Sequence, residues 1–220
     1  MGKICKTLKE DNVGSIGIGA MIVFIAMVLV AGIAASVLIQ TSTKLEMQAL
    51  KTGQGTIAEV ASGIKIEGID GHNTSGEIDQ MVIEITPLAG SPDMDVSQAI
   101  LEISDSDNKF LLRYGDKLTN ISEVNGSVFD DTDGDAWSGA DATGFGIIVL
   151  QDADGSCKED TPIINYGDHI IIAIDADAVF GSSIAPRADI FGMVIPEEGS
   201  LGVIGFTVPA AITEEVMELQ

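Results

Sequence analysis

A long uncharged segment near the amino terminus constrains this chain more than any other feature. No charged residue occurs between Asp11 and Lys44. From Ser15 to Ile39 the segment carries fifteen large apolar side chains. Removing each of them from water contributes roughly 1.5–3 kcal/mol, or about 20–45 kcal/mol together. Because the segment is apolar on all sides, it must be surrounded by lipid or by other apolar helices.

Three interpretations of the first forty residues are open: a secretory signal peptide, a plain membrane anchor, or a processed leader before a helix that keeps its apolar run. The run exceeds the roughly 7–15 residues of a signal-peptide core, whereas its length suits a transmembrane anchor. The third interpretation rests on the small residues Gly14, Ser15 and Gly17, which stand where the charged residues stop. A membrane peptidase would cut at this boundary and leave the apolar helix as the new amino terminus.

Small residues also recur within the apolar run. Ala31 and Ala35, like Gly32 and Ser36, are four positions apart. This spacing places small side chains on one helix face and lets helix backbones approach closely. The segment is therefore predicted to pack against other apolar helices.

The charge of the chain is unevenly distributed. Residues 1–14 hold three lysines, whereas residues 15–220 hold eight lysines and arginines against 32 aspartates and glutamates, a net charge of −24. Such an acidic body has no basic patch for phosphates, which argues against nucleic acid as a partner. It favours solubility, cation binding and an exterior location. If the leader with Cys5 is removed, Cys157 has no intrachain cysteine partner.

The hydrophobic period changes from helical to strand-like at Ser62. Helix formers continue to about that residue, although Gly53 and Gly55 mark a flexible or bent point. Beyond it, eight short β-branched runs are bounded by Gly, Pro, Asp and Asn, with no helical segment between them. The runs are "GIKIEG", "EIDQMVIEI", "AILEIS", "KFLLRY", "FGIIVLQD", "DHIIIAID", "IFGMVIP" and "LGVIGFTV". The predicted fold class is α+β, a long hydrophobic helix followed by an antiparallel, Ig-like β-sandwich.

The acidic stretch "DDTDGD" is the most concentrated chemical signal in the chain. Its carboxylates, with Gly134 for a tight turn, are suited to place oxygens around Ca²⁺ or Mg²⁺. The alternative is a solvated acidic turn. Asp152 and Asp154 of "QDADGS" are candidates to approach from a neighbouring loop. The predicted metal-binding residues are Asp130, Asp131, Asp133 and Asp135.

Three sequons for N-glycosylation occur in polar connections, at Asn73, Asn120 and Asn125. Catalysis finds little support in the sequence. His72 and His169 are the only histidines, and no nucleophile motif accompanies them or Cys157. The chain is therefore predicted not to be an enzyme.

The stretch "SIGIGAMIVFIAMVLVAGIAASVLIQTS" closely resembles the amino-terminal segment of archaellins, the type IV pilin-like subunits of the archaeal swimming filament. "GTIAEVASGIKIEGIDG", "MVIEITPLAGSPDMDVSQAILEIS", "NYGDHIIIAID" and "FGMVIPEEGSLGVIGFTVP" resemble later blocks of that family, in the same order. In the family a class III leader is removed after a glycine, and a glycine stands at the third mature position. Gly14, Ser15 and Gly17 take these places here. Val13 departs from the Lys or Arg that commonly precedes the cut.

The resemblance implies a domain organisation: a removed leader over 1–14, a filament-core helix over 15–62 and a β-sandwich sheath over 63–220. It implies an extracellular filament that a membrane motor turns for swimming. The expected partners are further copies of the chain, other archaellins, a prepilin-type leader peptidase, the motor's membrane platform, and the cytoplasmic membrane for the precursor. It also implies a metal site in the outer domain and frequent N-glycosylation.

Two other functions fit the same residues. One is an adhesive type IV-like pilus subunit, in which the same helix serves a static fibre. The other is a single-pass, membrane-anchored surface domain that binds cations and never polymerises. A pilus subunit would differ from an archaellin because its fibre is not turned by a motor. A membrane-anchored domain would differ because its leader is not removed.

Overall fold

The computed structural model describes residues 2–124, 126–129 and 135–220, with side chains from residue 14 onward except that of residue 135. The chain divides into two compact units, Met1–Gln54 and Gly55–Gln220. The first is entirely helical in its described part. The second contains the end of the helix and all described strands.

Helix α1 spans Gly2–Ala61. It continues through Gly53 and Gly55, where the sequence predicts a weak point, and the boundary between the two units falls at this pair. Every residue from 14 to 57 is exposed within the single chain. The long apolar helix predicted from the sequence is confirmed, and its apolar side chains find no cover within their own unit.

Twelve strands, two short α-helices and a 3-10 turn at Val96–Gln98 follow α1 in the described part, so the prediction of no helical segment among the strands is wrong. Each of the eight predicted runs contains a strand. The strands are β1 Ile64–Thr74, β2 Glu77–Pro87, β3 Met94–Asp95, β4 Ile100–Ser104, β5 Lys109–Asn120, β6 Gly144–Gln151, β7 Cys157–Lys158, β8 Thr161–Ile164, β9 His169–Asp175, β10 Asp189–Ile195, β11 Gly202–Thr207 and β12 Val216–Glu218; the helices are α2 Asp135–Ser138 and α3 Ala176–Phe180.

Nine strands form one sheet, in the order β11-β10-β4-β5-β6-β9-β2-β1-β12, and β3, β8 and β7 form a smaller one. The pairs in the large sheet are antiparallel except β5 with β6, which is parallel. A parallel pair needs a crossover of about a dozen residues or more, and residues 121–143 supply it. The predicted class, a long helix followed by a largely antiparallel β domain, is confirmed.

The two ends of the large sheet meet. Gly63 forms an isolated parallel bridge with Ser200. The amide of Gln220 bonds the free edge of β11, because its Oε1 accepts from the Gly205 N–H (2.8 Å) and its Nε2 donates to the Val203 carbonyl (3.3 Å). The closed sheet surrounds the main core, in which isoleucines from β1, β2, β4, β6, β9, β10 and β11 are buried.

The central strands β2, β9 and β6 are buried on both faces, which explains why "GFGIIVLQ" and "HIIIAID" lack polar alternation. Their inner face lines the main core. Their outer face packs with Phe129 and Ala136 in a second cluster that contains Ile148 and Ile171. This cover lies within the connection between β5 and β6.

Backbone hydrogen bonds lock the residues that follow α1 to the start of β11. The Ser200 N–H donates to the Ser62 carbonyl (2.9 Å), and the Ile64 N–H donates to the Ser200 carbonyl (3.2 Å). Gly199 has φ +99°, in the left-handed region that favours glycine. A Cβ on Gly199 would also lie 2.5 Å from the Ser62 carbonyl. This junction fixes how the chain enters the sheet.

Candidate functional site

The predicted cut between Gly14 and Ser15 lies within α1, and both residues are exposed. A Cβ added to Gly14 would meet no atom within 4 Å, and the same holds for Gly17. The small residues at this boundary therefore answer no packing requirement within the chain itself. A requirement for glycine there must come from something that binds this segment.

The apolar side chains that follow the boundary face outward all around the helix. Phe24 is 69% exposed and Leu38 is 68% exposed. Within the described residues, Gly14–Ala61 is the helix whose length and composition suit a membrane crossing. A helix with this surface needs an apolar environment on every side.

The four predicted packing residues, Ala31, Gly32, Ala35 and Ser36, are exposed on this helix. Ala31 also belongs to a shallow apolar depression, which the neighbouring larger residues Val23, Met27 and Val30 border. Such a depression arises because alanine leaves space between larger side chains. It suits close approach of a second helix.

The predicted acidic turn lies almost entirely outside the described residues. Asp130, Asp131 and Asp133 lie outside the described residues, and Asp135 begins α2 without a described side chain. The structure instead brings Asp152 and Asp154 together with Asp168, each offering a carboxylate oxygen within 4.8 Å of the others. Asp168 is buried, 1% exposed.

Hydrogen bonds organise this acidic cluster of Asp152, Asp154 and Asp168. Asp152 Oδ1 accepts from the Gly155 N–H (2.8 Å), and Asp168 Oδ2 accepts from the Asn165 N–H (2.9 Å). Asp154 Oδ2 accepts from the Asn165 side chain (2.7 Å). Hydrogen bonds from Ser156 and Asn165 hold the pKa of Asp154 below its usual value. The loop therefore keeps the Asp154 carboxylate ionised and holds the three carboxylates close together.

Sequence reasoning identified Asp152 and Asp154 but missed Asp168. Asp168 precedes β9, and Asp152 follows β6. Because β6 and β9 are antiparallel neighbours, the end of one and the start of the other meet at one edge of the sheet. The sequence signal for Asp168 is the acidic residue of "NYGD", immediately before a strand. Its proximity to Asp152 can be inferred only when the order of the strands in the sheet is known.

Cys157 lies beside the acidic cluster and is a buried, free thiol, 6% exposed. Burial, together with the negative charges of Asp152 and Asp168, raises the pKa of its thiol to about 12. The thiol is therefore protonated and inaccessible at neutral pH. Such an environment does not favour a disulfide between subunits.

Two of the three sequons fall on described residues, and Asn125 lies outside them. Asn73 is partly buried near the end of β1; its Oδ1 accepts from the Gly76 N–H (2.8 Å), and its Nδ2 donates to the Glu214 carbonyl (3.1 Å). Asn120 is the exposed last residue of β5. Of these two amides, that of Asn120 is the more accessible to a glycosyl carrier.

The two histidines have structural surroundings. His72 Nδ1 lies 2.8 Å from Asp79 Oδ1, and the His72 ring stacks on Phe129 with centroids 5.3 Å apart. Asp79 also accepts from the Thr74 hydroxyl (2.8 Å). His169 is half-exposed, 3.8 Å from Glu84. The His72 pair ties β1 to β2 and to the second cluster, and the His169 pair ties β9 to β2.

Comparison with known proteins gives consistent matches along the chain. The archaeal-type flagellin family matches residues 14–206. Flagellin B2 of Methanocaldococcus jannaschii is 46% identical over 222 residues, covering 99% of this chain and 100% of that one. Flagellin B1 of Methanococcus voltae is 40% identical, covering 98% of this chain and 99% of that one.

Solved structures show the same architecture. The crystal structure of archaeal flagellin FlaB1 from Methanocaldococcus jannaschii superposes with a TM-score of 0.68 at 37% identity, covering 73% of this chain and 98% of that chain. The archaeal flagellum of Methanospirillum hungatei superposes with a TM-score of 0.59 at 14% identity, covering 91% and 98%. At 14% identity, the match to the Methanospirillum hungatei flagellum shows a shared fold alone.

Proposed function

Because this chain belongs to the archaeal-type flagellin family, we propose that it is made as a membrane-held precursor, cut between Gly14 and Ser15, and assembled through α1 into an archaellum filament outside the cell. It is a structural filament subunit for motility, and its family is not one of enzymes. The steps of processing and assembly are the content of the proposal.

The observation that carries the proposal is the exposed, uncharged surface of α1 over residues 14–43. In a single chain, side chains such as Phe24 and Leu38 are more than two-thirds exposed, which is untenable in water. Lipid satisfies this surface before assembly, and copies of the same helix satisfy it afterwards. The same apolar surface therefore suits both the precursor in lipid and the subunit in the filament. The depression around Ala31 is the contact that we propose between neighbouring helices.

The processing step needs a partner that recognises Gly14, and a prepilin-type leader peptidase in the membrane is that partner. The family match begins at residue 14, where the cut is placed. Removing residues 1–14 removes the three lysines together with Glu10 and Asp11. The new amino terminus then leads directly into the apolar helix, ready to join other archaellins on the membrane platform of the motor.

Deleting the gene tests motility directly. The deletion strain should lose swimming while retaining surface attachment, and the intact gene should restore swimming. Loss of attachment with unchanged swimming would instead favour an adhesive pilus. Extraction of the chain solely as detergent-soluble monomers would favour a membrane-anchored surface domain.

We also propose that the acidic cluster holds Ca²⁺ or Mg²⁺ as a structural ion. Its carboxylates present the oxygen ligands that these cations prefer. In the described part of the chain, the hydrogen bonds to the cluster come from backbone N–H groups and the Asn165 side chain, and no lysine or arginine is among these donors. A divalent cation would offset the repulsion between the three charges.

The double change Asp152→Asn with Asp168→Asn is expected to remove cation-dependent stability while keeping one of the two acceptor oxygens at each position. For the unchanged chain, Ca²⁺ at about 100 times its dissociation constant contributes about 2.7 kcal/mol, which raises the melting temperature by about 5 °C or more. Thermal melting after chelation and after Ca²⁺ addition measures the effect.

The control for this experiment is Asp105→Asn, because Asp105 accepts two backbone N–H bonds in an exposed turn away from the cluster. The control should keep the full response to Ca²⁺. An equal response in the double variant would show that the cluster only caps its loop.

We propose that N-glycosylation occurs at Asn120 in preference to Asn73. Asn120 is exposed at the end of a strand, whereas both amide atoms of Asn73 already make hydrogen bonds to the backbone. Carbohydrate at Asn120 would project from the surface without displacing a contact of the fold.

A further inference from the structure

The outer face of strands β5, β4, β10 and β11 carries an apolar patch that the described residues leave uncovered. We define the outer apolar patch as Leu111, Phe191, Leu201 and Val203, which are 59%, 57%, 46% and 68% exposed. The registers place Val203 opposite Met193, Met193 opposite Glu102, and Glu102 opposite Leu111. The patch therefore spans four adjacent strands.

The two halves of the sheet's outer face differ. Over β6, β9 and β2 the chain covers its own apolar residues with Phe129 and Ala136. Over β5, β4, β10 and β11 comparable side chains point outward. Phe191 lies opposite Gly205 in the pairing of β10 with β11, and its ring lies 4.0 Å from where a Cβ on Gly205 would be. Leu111 and Val203 are each more than half exposed.

Basic residues border the patch on β5. Lys109 and Arg113 flank Leu111, and Lys109 pairs with Glu102 at 2.6 Å. These cations are unusual here, because residues 63–220 contain six lysines and arginines against thirty aspartates and glutamates. An apolar surface with a basic border is complementary to most of the remaining surface of the same domain.

We propose that the outer apolar patch docks against an acidic part of the sheet domain of a second copy in the filament. The inference rests on the proposed function, because a filament holds the sheet domains of its copies side by side. The contact is heterologous: patch against patch would close a dimer, whereas patch against acidic surface repeats along a helix. Contacts of this kind add to those made by α1.

Accessibility of engineered thiols tests whether another copy covers the patch. Leu111→Cys and Val203→Cys should react with a maleimide at least tenfold more slowly in intact filaments than in subunits released by detergent. Cys157 is buried and gives a low background. Because a glycan would accompany the subunit into detergent, protection confined to filaments identifies a neighbouring copy. Equal reaction rates in the two states would overturn the proposal.

A second measurement tests the energetic contribution. The double variant Leu111→Ser with Val203→Ser should release about tenfold more free subunit than the unchanged filament at the same temperature. Tyr166→Ser, at a position 73% exposed outside the patch, is the matched control for loss of an exposed apolar side chain. A release no larger than the control's would contradict the proposal.

These outcomes separate the inference from the proposed function. If the unchanged chain forms no filaments, the filament assignment itself fails. If filaments form but their patch thiols react like those of free subunits, only the docking contact fails. Melting of detergent-released subunits should be the same for the double variant and the unchanged chain, because both substituted side chains face outward.

Discussion

Replacing Gly14 with valine is expected to leave residues 1–13 attached to the chain and to abolish filaments. A folding defect is not the expected cause, because a Cβ added at residue 14 meets no atom within 4 Å. The effect must arise at the peptidase, whose cut the resemblance to archaellins places after a glycine. The uncut leader also retains Glu10 and Asp11 and three lysines, and charges without partners are costly in an apolar filament core.

Immunoblotting of membranes and of material sheared from the cells measures this outcome. The Gly14→Val chain should accumulate in membranes at precursor size, with none in the sheared fraction. Gly19→Val is the matched control, since Gly19 is equally exposed on α1 and equally free of neighbours. The control should be cut normally, whatever its effect on helix packing. Normal filaments from Gly14→Val would refute the assigned cut.

Replacing Gly146 with alanine is expected to destabilise the sheet domain by about 3 kcal/mol or more, since overpacking a rigid site has costs of this order. Gly146 lies on β6, and a Cβ there would fall on the carbonyl of Ala136, 2.5 Å from its carbon atom. Both atoms belong to backbone. β6 cannot retreat, because it pairs with β5 on one side and β9 on the other.

Thermal melting of detergent-released subunits measures this change, and the melting temperature should fall by roughly 6–12 °C. Gly205→Ala is the matched control: Gly205 is also a strand glycine, and the nearest atom to its added Cβ is Phe191 at 4.0 Å. The control should melt within about 2 °C of the unchanged chain. Equal melting of the two variants would show that α2 does not pack against Gly146.

The eight main strands could be predicted because each combines β-branched residues with bounding turn residues. Four strands were missed, namely β3, β7, β8 and β12. They have two to four residues each, too few to show a period. Their pairing depends on distant partners, as when β12 adds to β1 opposite Asp70 and His72.

The parallel pair and the closure of the sheet could not be read from local pattern. β5 and β6 carry ordinary strand signals, and their direction depends on the crossover over residues 121–143. Closure depends on the side chain of Gln220 reaching β11, a contact between the last residue and a strand edge. Asp168 could not be predicted for the same reason, because its position depends on contacts between distant parts of the chain. It lies close to Asp152 and Asp154 only because β6 and β9 pair.

The most direct test of the account is amino-terminal sequencing, with intact mass, of material sheared from the cell surface. The account predicts that the chain in this fraction begins at Ser15, with excess mass on the peptide containing Asn120. A sheared fraction that lacks the chain, with a membrane form that still begins at Met1, would contradict processing and assembly together. The chain would then be a membrane-anchored domain.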